Sequence, residues 1–154
     1  MFRETRKLER GLTKIEAIQI LKTSSYGILS TISKNEYPHG VPVNYVFINN
    51  SIYFHCAMEG QKLDNITNNN KVSFCVVGQT YIIPDQFSTK YESVILFGRA
   101  FEIFDDEKNT ALFELLKKYS PDYIEEGKEY IKDVITKSKI IKINIDHISG
   151  KARP

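Results

Sequence analysis

Val41-Pro42-Val43-Asn44-Tyr45-Val46-Phe47-Ile48-Asn49-Asn50-Ser51-Ile52-Tyr53-Phe54-His55-Cys56-Ala57 is the stretch that decides the fold. Two runs rich in β-branched and aromatic residues flank Asn49-Asn50, and asparagine tolerates the positive φ that a two-residue hairpin turn demands. The pattern predicts a β-hairpin with strands over 41–48 and 51–57. On the first strand Val41, Val43, Tyr45 and Phe47 face one way while Pro42, Asn44, Val46 and Ile48 face the other, so both faces are largely apolar. Such a strand needs a core on one side and a covering layer on the other. Another subunit is one source of part of that layer.

Upstream, residues 26–33 are rich in β-branched and small side chains and end in turn chemistry at Lys34-Asn35-Glu36, which predicts a strand. Before it, Thr13 and Glu16 have the spacing of a capping box, and Ile15, Ile18 and Leu21 are the expected helical stripe. Downstream, Leu63 and Ile66 place one or two helical turns in 60–67, and a strand follows over 71–77. Gly78 is expected to close that strand and open a loop running through Thr89, with Pro84 inside it. The strand predicted over 91–104 carries Gly98 in its middle, the mark of a bulge or bend.

Asp105 and Asp106 suit a helix start and Lys117 and Lys118 its end, with Leu112, Leu115, Leu116 and Tyr119 as the stripe between. Ser120-Pro121 restarts a helix in which Tyr123, Ile124, Tyr130, Ile131, Val134 and Ile135 recur at helical intervals. Ile141, Ile143 and Ile145 alternate with Lys142, Asn144 and Asp146, a strand with one wet face. About six strands joined by hairpins and short helices predict a mainly β (α+β) fold, a small antiparallel barrel with peripheral helices. A single domain over 1–154 is expected.

The chain has 21 Lys+Arg against 19 Asp+Glu, a net charge of +2, which is too balanced for a polycation wrapping nucleic acid. With 42% hydrophobic residues, a chain of this length buries about two thirds of its unfolded surface, so disorder is not expected. No apolar run approaches the roughly 18 residues of a bilayer span, so no membrane span is expected. The charged stretch 1–10 is not followed by the apolar run and cleavage site of a signal peptide, and a cytoplasmic address is expected. Cys56 and Cys75 match neither a disulfide framework nor a zinc site, and His39, His55 and His147 share no ligand spacing, so no metal is expected.

Three regions could converge on an anion. Ala57-Met58-Glu59-Gly60-Gln61-Lys62 is a tight loop between a strand and a helix, where unpaired amides and a lysine lie together as at phosphate sites. The same residues also fit a plain turn with a solvated lysine. Gly150-Lys151-Ala152-Arg153-Pro154 puts two cations at the end of the last strand, where basic residues are more often solvated. Glu92-Ser93 opens the long strand, and a lone serine there says little. His55 and Cys56 are adjacent on a strand, point to opposite faces and so cannot act together as base and nucleophile. No nucleophile-elbow, phosphate-loop or dinucleotide glycine motif occurs.

Taken as strings, Gly40-Val41-Pro42-Val43-Asn44-Tyr45-Val46, residues 52–66 with the block from His55 to Lys62, and Val72-Ser73-Phe74 carry a family likeness. Glu92-Ser93-Val94-Ile95, Gly98-Arg99-Ala100 and Ile148-Ser149-Gly150-Lys151 extend it over nearly the whole chain. The chain resembles the pyridoxamine 5'-phosphate oxidase-related FMN-binding split-barrel superfamily, and within it the nitroimidazole-resistance branch. The resemblance implies a six-stranded split barrel, paired as a homodimer that holds FMN in grooves between the two barrels. It implies that Pro42, Val43 and Asn44 line the flavin ring, that His55, Cys56 and Ala57 border it, and that Lys62 meets the phosphate. Ser93, Lys151 and Arg153 are further implied contacts, and His55, expected near the flavin edge, is the candidate catalytic residue.

The activity implied is reduction of a small organic acceptor, nitroaromatics among the candidates, with NADH or NADPH as donor. The oxidase itself is longer and ends in an arginine-rich segment that binds the substrate phosphate. Nothing beyond Lys151-Ala152-Arg153 could replace that segment, so vitamin B6 synthesis is disfavoured. Two other readings stay open. One is a flavin- or haem-binding module that stores, senses or delivers its cofactor without turnover, since no residue is an unmistakable acid, base or nucleophile. The other is an oligonucleotide-binding barrel with aromatic platforms in a basic groove. Core-like aromatics and a small net charge count against it.

Overall fold

Asn49 and Asn50 take φ of 45° and 59°, and they turn β4 (Val46–Ile48) back on β5 (Ser51–Cys56) as the sequence predicts. The strand expected over 41–48 is two strands, however. β3 (Pro38–Val43) pairs with β2 (Gly27–Ile32), the ladder breaks at Asn44-Tyr45, and the chain resumes as β4 beside β5. The computed structural model describes residues 2–3 and 5–154; Met1 and Glu4, in the charged amino-terminal stretch, lie outside them.

With β6 (Lys71–Ile83), β7 (Ser88–Ile103) and β8 (Lys139–Arg153), the antiparallel path runs β3-β2-β6-β7-β8-β5-β4, and β1 (Gly11–Leu12) pairs with the end of β8. β3 and β4 are the two ends of this path, yet only Asn44 and Tyr45 separate them in the chain. Three residue steps span at most about 10 Å, so the sheet closes on itself with a split between its first and last strands. The eight strands exceed the expected six because Asn44-Tyr45 divides one strand and β1 adds another.

The inner face holds Leu29, Phe54, Phe74, Leu96, Ile141 and Ile143, all essentially inaccessible to solvent. Burying each such side chain contributes about 1.5–3 kcal/mol. α1 (Lys14–Thr23) lies across the end where β2 begins, through Ala17, Ile20 and Leu21. The capping box forms: the Glu16 amide donates to Thr13 Oγ1 at 3.3 Å and the Thr13 amide to Glu16 Oε2 at 2.7 Å. The stripe differs from the expected one, because Ile15 is 82% exposed and the small Ala17 turns inward instead. α2 (Gln61–Asn68) closes the other end with Ile66 and Asn65, whose amide donates to Thr31 Oγ1 at 2.9 Å and Ser33 Oγ at 3.2 Å.

A second core lies outside the barrel, where α3 (Asp105–Tyr119) covers β4 and β5 and α4 (Ile124–Val134) packs against α3. Val46, Tyr53, Ile103, Leu112, Leu115 and Ile140 form it. The covering layer over Val46 and Ile48 therefore comes from the chain's own helices. Elsewhere no helix covers the outer sheet face, and among the described residues only Phe2 stacks on it, against Phe97 and His147 with ring centres 5.1 and 4.7 Å away. Pro42, Ile28, Cys75, Ile95 and Ser149 are successive partners across β3, β2, β6, β7 and β8 and share that face. Val77, Ser93 and Lys151 form the row two residues along.

Two further differences concern β6 and β7. The loop expected after Gly78 is a hairpin arm, since pairing skips across Val77/Thr80 and then continues to Ile83 and Ser88. A tight turn over Pro84–Gln86 closes the arm. The predicted irregularity at Gly98 is present: Phe97 pairs with His147 and Gly98 with Ile145, leaving Asp146 extra. A Cβ on Gly98 would sit 2.2 Å from the Asn144 carbonyl oxygen.

Candidate functional site

Beyond the end of β5, a cavity of about 400 Å³ opens between the sheet and the α3–α4 pair. Asn44, His55, Cys56 and Ala57 line its sheet side, and Leu116, Tyr119, Tyr130 and Lys137 are among the residues opposite. His55 is exposed and pairs across to Ile140, so its ring lies on the outer face. The Cys56 side chain turns inward to the barrel core. Burial pushes its thiol up, and the ammonium of Lys62 lies near enough to offset part of that effect. Lys62 thus belongs to the same corner of the molecule.

The start of α2 supplies unpaired donors there. Gly60 caps the helix at φ 140°, a conformation L side chains rarely adopt, and no side chain bonds the cap. The amides of Leu63 and Asp64 reach back to the Gly60 carbonyl, whereas those of Gln61 and Lys62 meet no partner among the described residues. A Cβ on Gly60 would meet nothing within 4 Å. Free amides, the helix dipole and a lysine beside open space are the chemistry of a phosphate cradle.

The split is braced from α3. The Tyr45 amide donates to the Tyr119 hydroxyl oxygen at 2.9 Å, and that hydroxyl lies 2.6 Å from the Ser25 carbonyl, to which it donates. Lys118 Nζ donates to the Tyr45 carbonyl at 3.0 Å and sits 4.0 Å from the centre of the Tyr45 ring. The Tyr45 hydroxyl donates to the Leu21 carbonyl at 2.6 Å. Burial pulls the Lys118 ammonium down to about 8 and holds the Tyr45 hydroxyl well above the ordinary phenol range.

The other expected contacts lie elsewhere. Ser93 and Lys151 face each other across β7 and β8 on the bare outer face, and Arg153 pairs with Tyr91 one step on. Lys151 Nζ is 5.6 Å from the Tyr91 ring centre, and Lys151 with Arg10 holds that phenol below its usual range. Arg10, Lys151 and Arg153 form no ion pair among the described residues. Pro42 lies on the same bare face, while the half-buried Val43 side chain packs against the interior core. One chain thus gathers Asn44, His55, Cys56, Ala57 and Lys62 at one corner and presents Ser93, Lys151 and Arg153 away from that cavity.

Residues 13–152 match the profile of a family described as pyridoxamine 5'-phosphate oxidase. The chain belongs to that family. Solved structures show the fold of this pyridoxamine 5'-phosphate oxidase family member at low identity. A proposed 5-nitroimidazole antibiotic resistance protein from Bacteroides thetaiotaomicron is 23% identical with a TM-score of 0.79, over 92% of this chain and 86% of that one. A conserved hypothetical protein from Mycobacterium tuberculosis is 19% identical with a TM-score of 0.82, over 96% and 90%. An FAD and haem binding protein from Mycobacterium smegmatis is 17% identical with a TM-score of 0.79, over 91% and 71%. Among curated proteins no sequence matches the chain.

Among the described residues no helix is long and apolar enough to cross a membrane, and no group of three or more His, Cys, Asp or Glu could hold a metal ion. Sequence reasoning missed Arg10 and Tyr91 beside Lys151, and the cavity-lining roles of Leu116, Tyr119, Tyr130 and Lys137. The stripes of α3 and α4 contained most of the latter, but periodicity alone does not say that a stripe faces a hollow.

Proposed function

We propose that this protein is an FMN-dependent oxidoreductase of the nitroimidazole-resistance type, a homodimer with flavin between two barrels that reduces a small organic acceptor, nitroaromatics included. The observation that carries this reading is the separation of the candidate contacts into two groups on one chain. A twofold pairing through the bare face gives each flavin one group from each subunit. That face has reason to be covered, since Val77 is 56% and Ile95 43% exposed on it. The residues fit the cofactor: the Gln61 and Lys62 amides and the Lys62 ammonium suit a phosphate dianion, and Asn44, His55 and the Val43 backbone suit a ring edge.

Flavin, when bound, supplies the electron transfer. The chain's part is to anchor, orient and protonate. Lys62 and the α2 amides fix the phosphate. Neither ring nitrogen of His55 is bonded to another described residue, so Nδ1 or Nε2 is free to pass a proton to an acceptor in the cavity. Family membership and the solved relatives described as binding FAD, or FAD and haem, support a flavin-sized cofactor. NADH or NADPH is the proposed donor, in the cytoplasm.

The test is the visible spectrum of the purified protein and the mass of the cofactor released on denaturation, with FMN expected. Lys62→Ala should then weaken FMN roughly 10- to 100-fold while leaving riboflavin unchanged, because one charge-assisted bond contributes about 1.5–3 kcal/mol. A colourless single subunit that ignores added FMN would overturn the reading. Tight FMN binding without reduction by either nucleotide would instead favour a cofactor storage or delivery module.

A further inference from the structure

The cavity beside β5 is built for more than a flavin edge. Leu112 and Leu116 of α3 face Ile131 and Val134 of α4 across it. α4 packs Ile131 against the second core, yet none of its residues is fully buried, so part of its apolar stripe is left to border the hollow. Polar groups converge at one end. Lys139 pairs with Cys56, which puts Lys137, two residues earlier, at the end where His55 and Ala57 lie. The side chains of Asn44, His55 and Lys137 make no hydrogen bond or ion pair to other described residues, and no Asp or Glu lines the cavity. Glu102, which acts on the neighbouring Cys56, is already paired with Lys139 at 2.9 Å.

We infer that this cavity binds a small aromatic acid, with the ring between the apolar walls of α3 and α4 and the carboxylate turned toward Lys137 and His55. At about 400 Å³ it falls at the lower end of the 300–1,000 Å³ range of small-molecule pockets. An anionic group placed there meets a cation and neutral donors and no like charge, whereas a cationic ligand would meet Lys137. As a binding site the cavity belongs to one subunit and needs no flavin. Its role as the acceptor site, which makes aromatic acids the substrate class, rests on the flavin reading above.

The experiment is an amide NMR titration of the chain, with and without FMN, using benzoate, nitrobenzene and benzylamine as probes. Benzoate should shift amides in 55–57, 112–120 and 127–138 and bind at least tenfold more tightly than benzylamine, which has the opposite charge. Lys137→Met should cut benzoate affinity about tenfold, with nitrobenzene little changed. Val134→Trp should fill the cavity and abolish benzoate binding while FMN affinity stays as it was. Benzylamine binding as tightly as benzoate, shifts lying outside those segments, or benzoate affinity indifferent to Lys137→Met would overturn the assignment. The mapping on the unsubstituted chain stands even if Val134→Trp does not fold. Benzoate binding in a chain that ignores FMN would sink the flavin reading alone, and FMN binding with a silent benzoate titration would sink the pocket alone.

Discussion

Replacing Lys118 by Met should remove a rise of stability with pH that the wild-type chain shows above pH 8. The ammonium is held to about 8 by burial against an ordinary value of 10.5. Between those two values the unfolded chain binds more protons than the folded one, so stability increases as pH climbs through the window. A gap of about 2.5 pH units corresponds to a ceiling of about 3.4 kcal/mol. The side chain is only half-buried, and the Tyr45 carbonyl at 3.0 Å and ring at 4.0 Å both favour the charged form. Solvent screening and the cation–π contact bring the expected effect to about 1–2 kcal/mol.

The titratable groups facing Lys118 are the Tyr45 and Tyr119 hydroxyls, both held above the ordinary phenol range by burial. Lys118 has no carboxylate partner among the described ion pairs. Urea unfolding of both proteins across the window isolates the effect, because other groups titrate alike in each. The wild-type-minus-variant difference should grow with pH by that amount. A difference that stays flat, or shrinks, refutes the buried-ammonium account.

Thr13→Ala removes the cap that receives the Glu16 amide and should cost about 1 kcal/mol, read as a lower urea midpoint with an unchanged slope. Gly98→Ala places a methyl 2.2 Å from the Asn144 carbonyl oxygen and should cost about 1–3 kcal/mol by overpacking the bulge, visible as a fall in melting temperature. Ile95→Glu puts a charge in the middle of the bare face and should break the proposed dimer, read as a sedimentation coefficient at the monomer value without unfolding of the barrel. An unchanged coefficient would place the subunit contact elsewhere.

Local chemistry was legible wherever one residue type has few alternatives. Asn49-Asn50, the Thr13–Glu16 pair, Gly98 and the acidic and basic ends of α3 each declare a turn, a cap, a bulge or a dipole, and each is present. The break at Asn44-Tyr45 left no trace, because Val41, Val43, Tyr45 and Phe47 keep facing inward on both sides of it. Alternation reports which side is buried and is silent about which strand supplies the hydrogen bonds. The arm beyond Gly78 hid for the opposite reason: its backbone ladder continues while Tyr81, Ile82 and Phe87 stay exposed, so no burial pattern marks it. In the site, His55, Cys56, Ala57 and Lys62 lie at one corner because one tight turn joins the end of β5 to α2. That Ser93, Lys151 and Arg153 lie apart from it is a consequence of sheet order, which depends on pairings between strands remote in sequence.

The split also explains why this corner and not another carries the candidate chemistry. At Asn44 the chain leaves a strand on the bare face, and at Val46 it joins one covered by helices, so the backbone groups of Tyr45 between them have no ladder to enter. A half-buried amide and carbonyl left unpaired would each cost about 1–3 kcal/mol, and here both partners come from α3, through Tyr119 and Lys118. The helix that walls the cavity therefore also sets the position of Asn44.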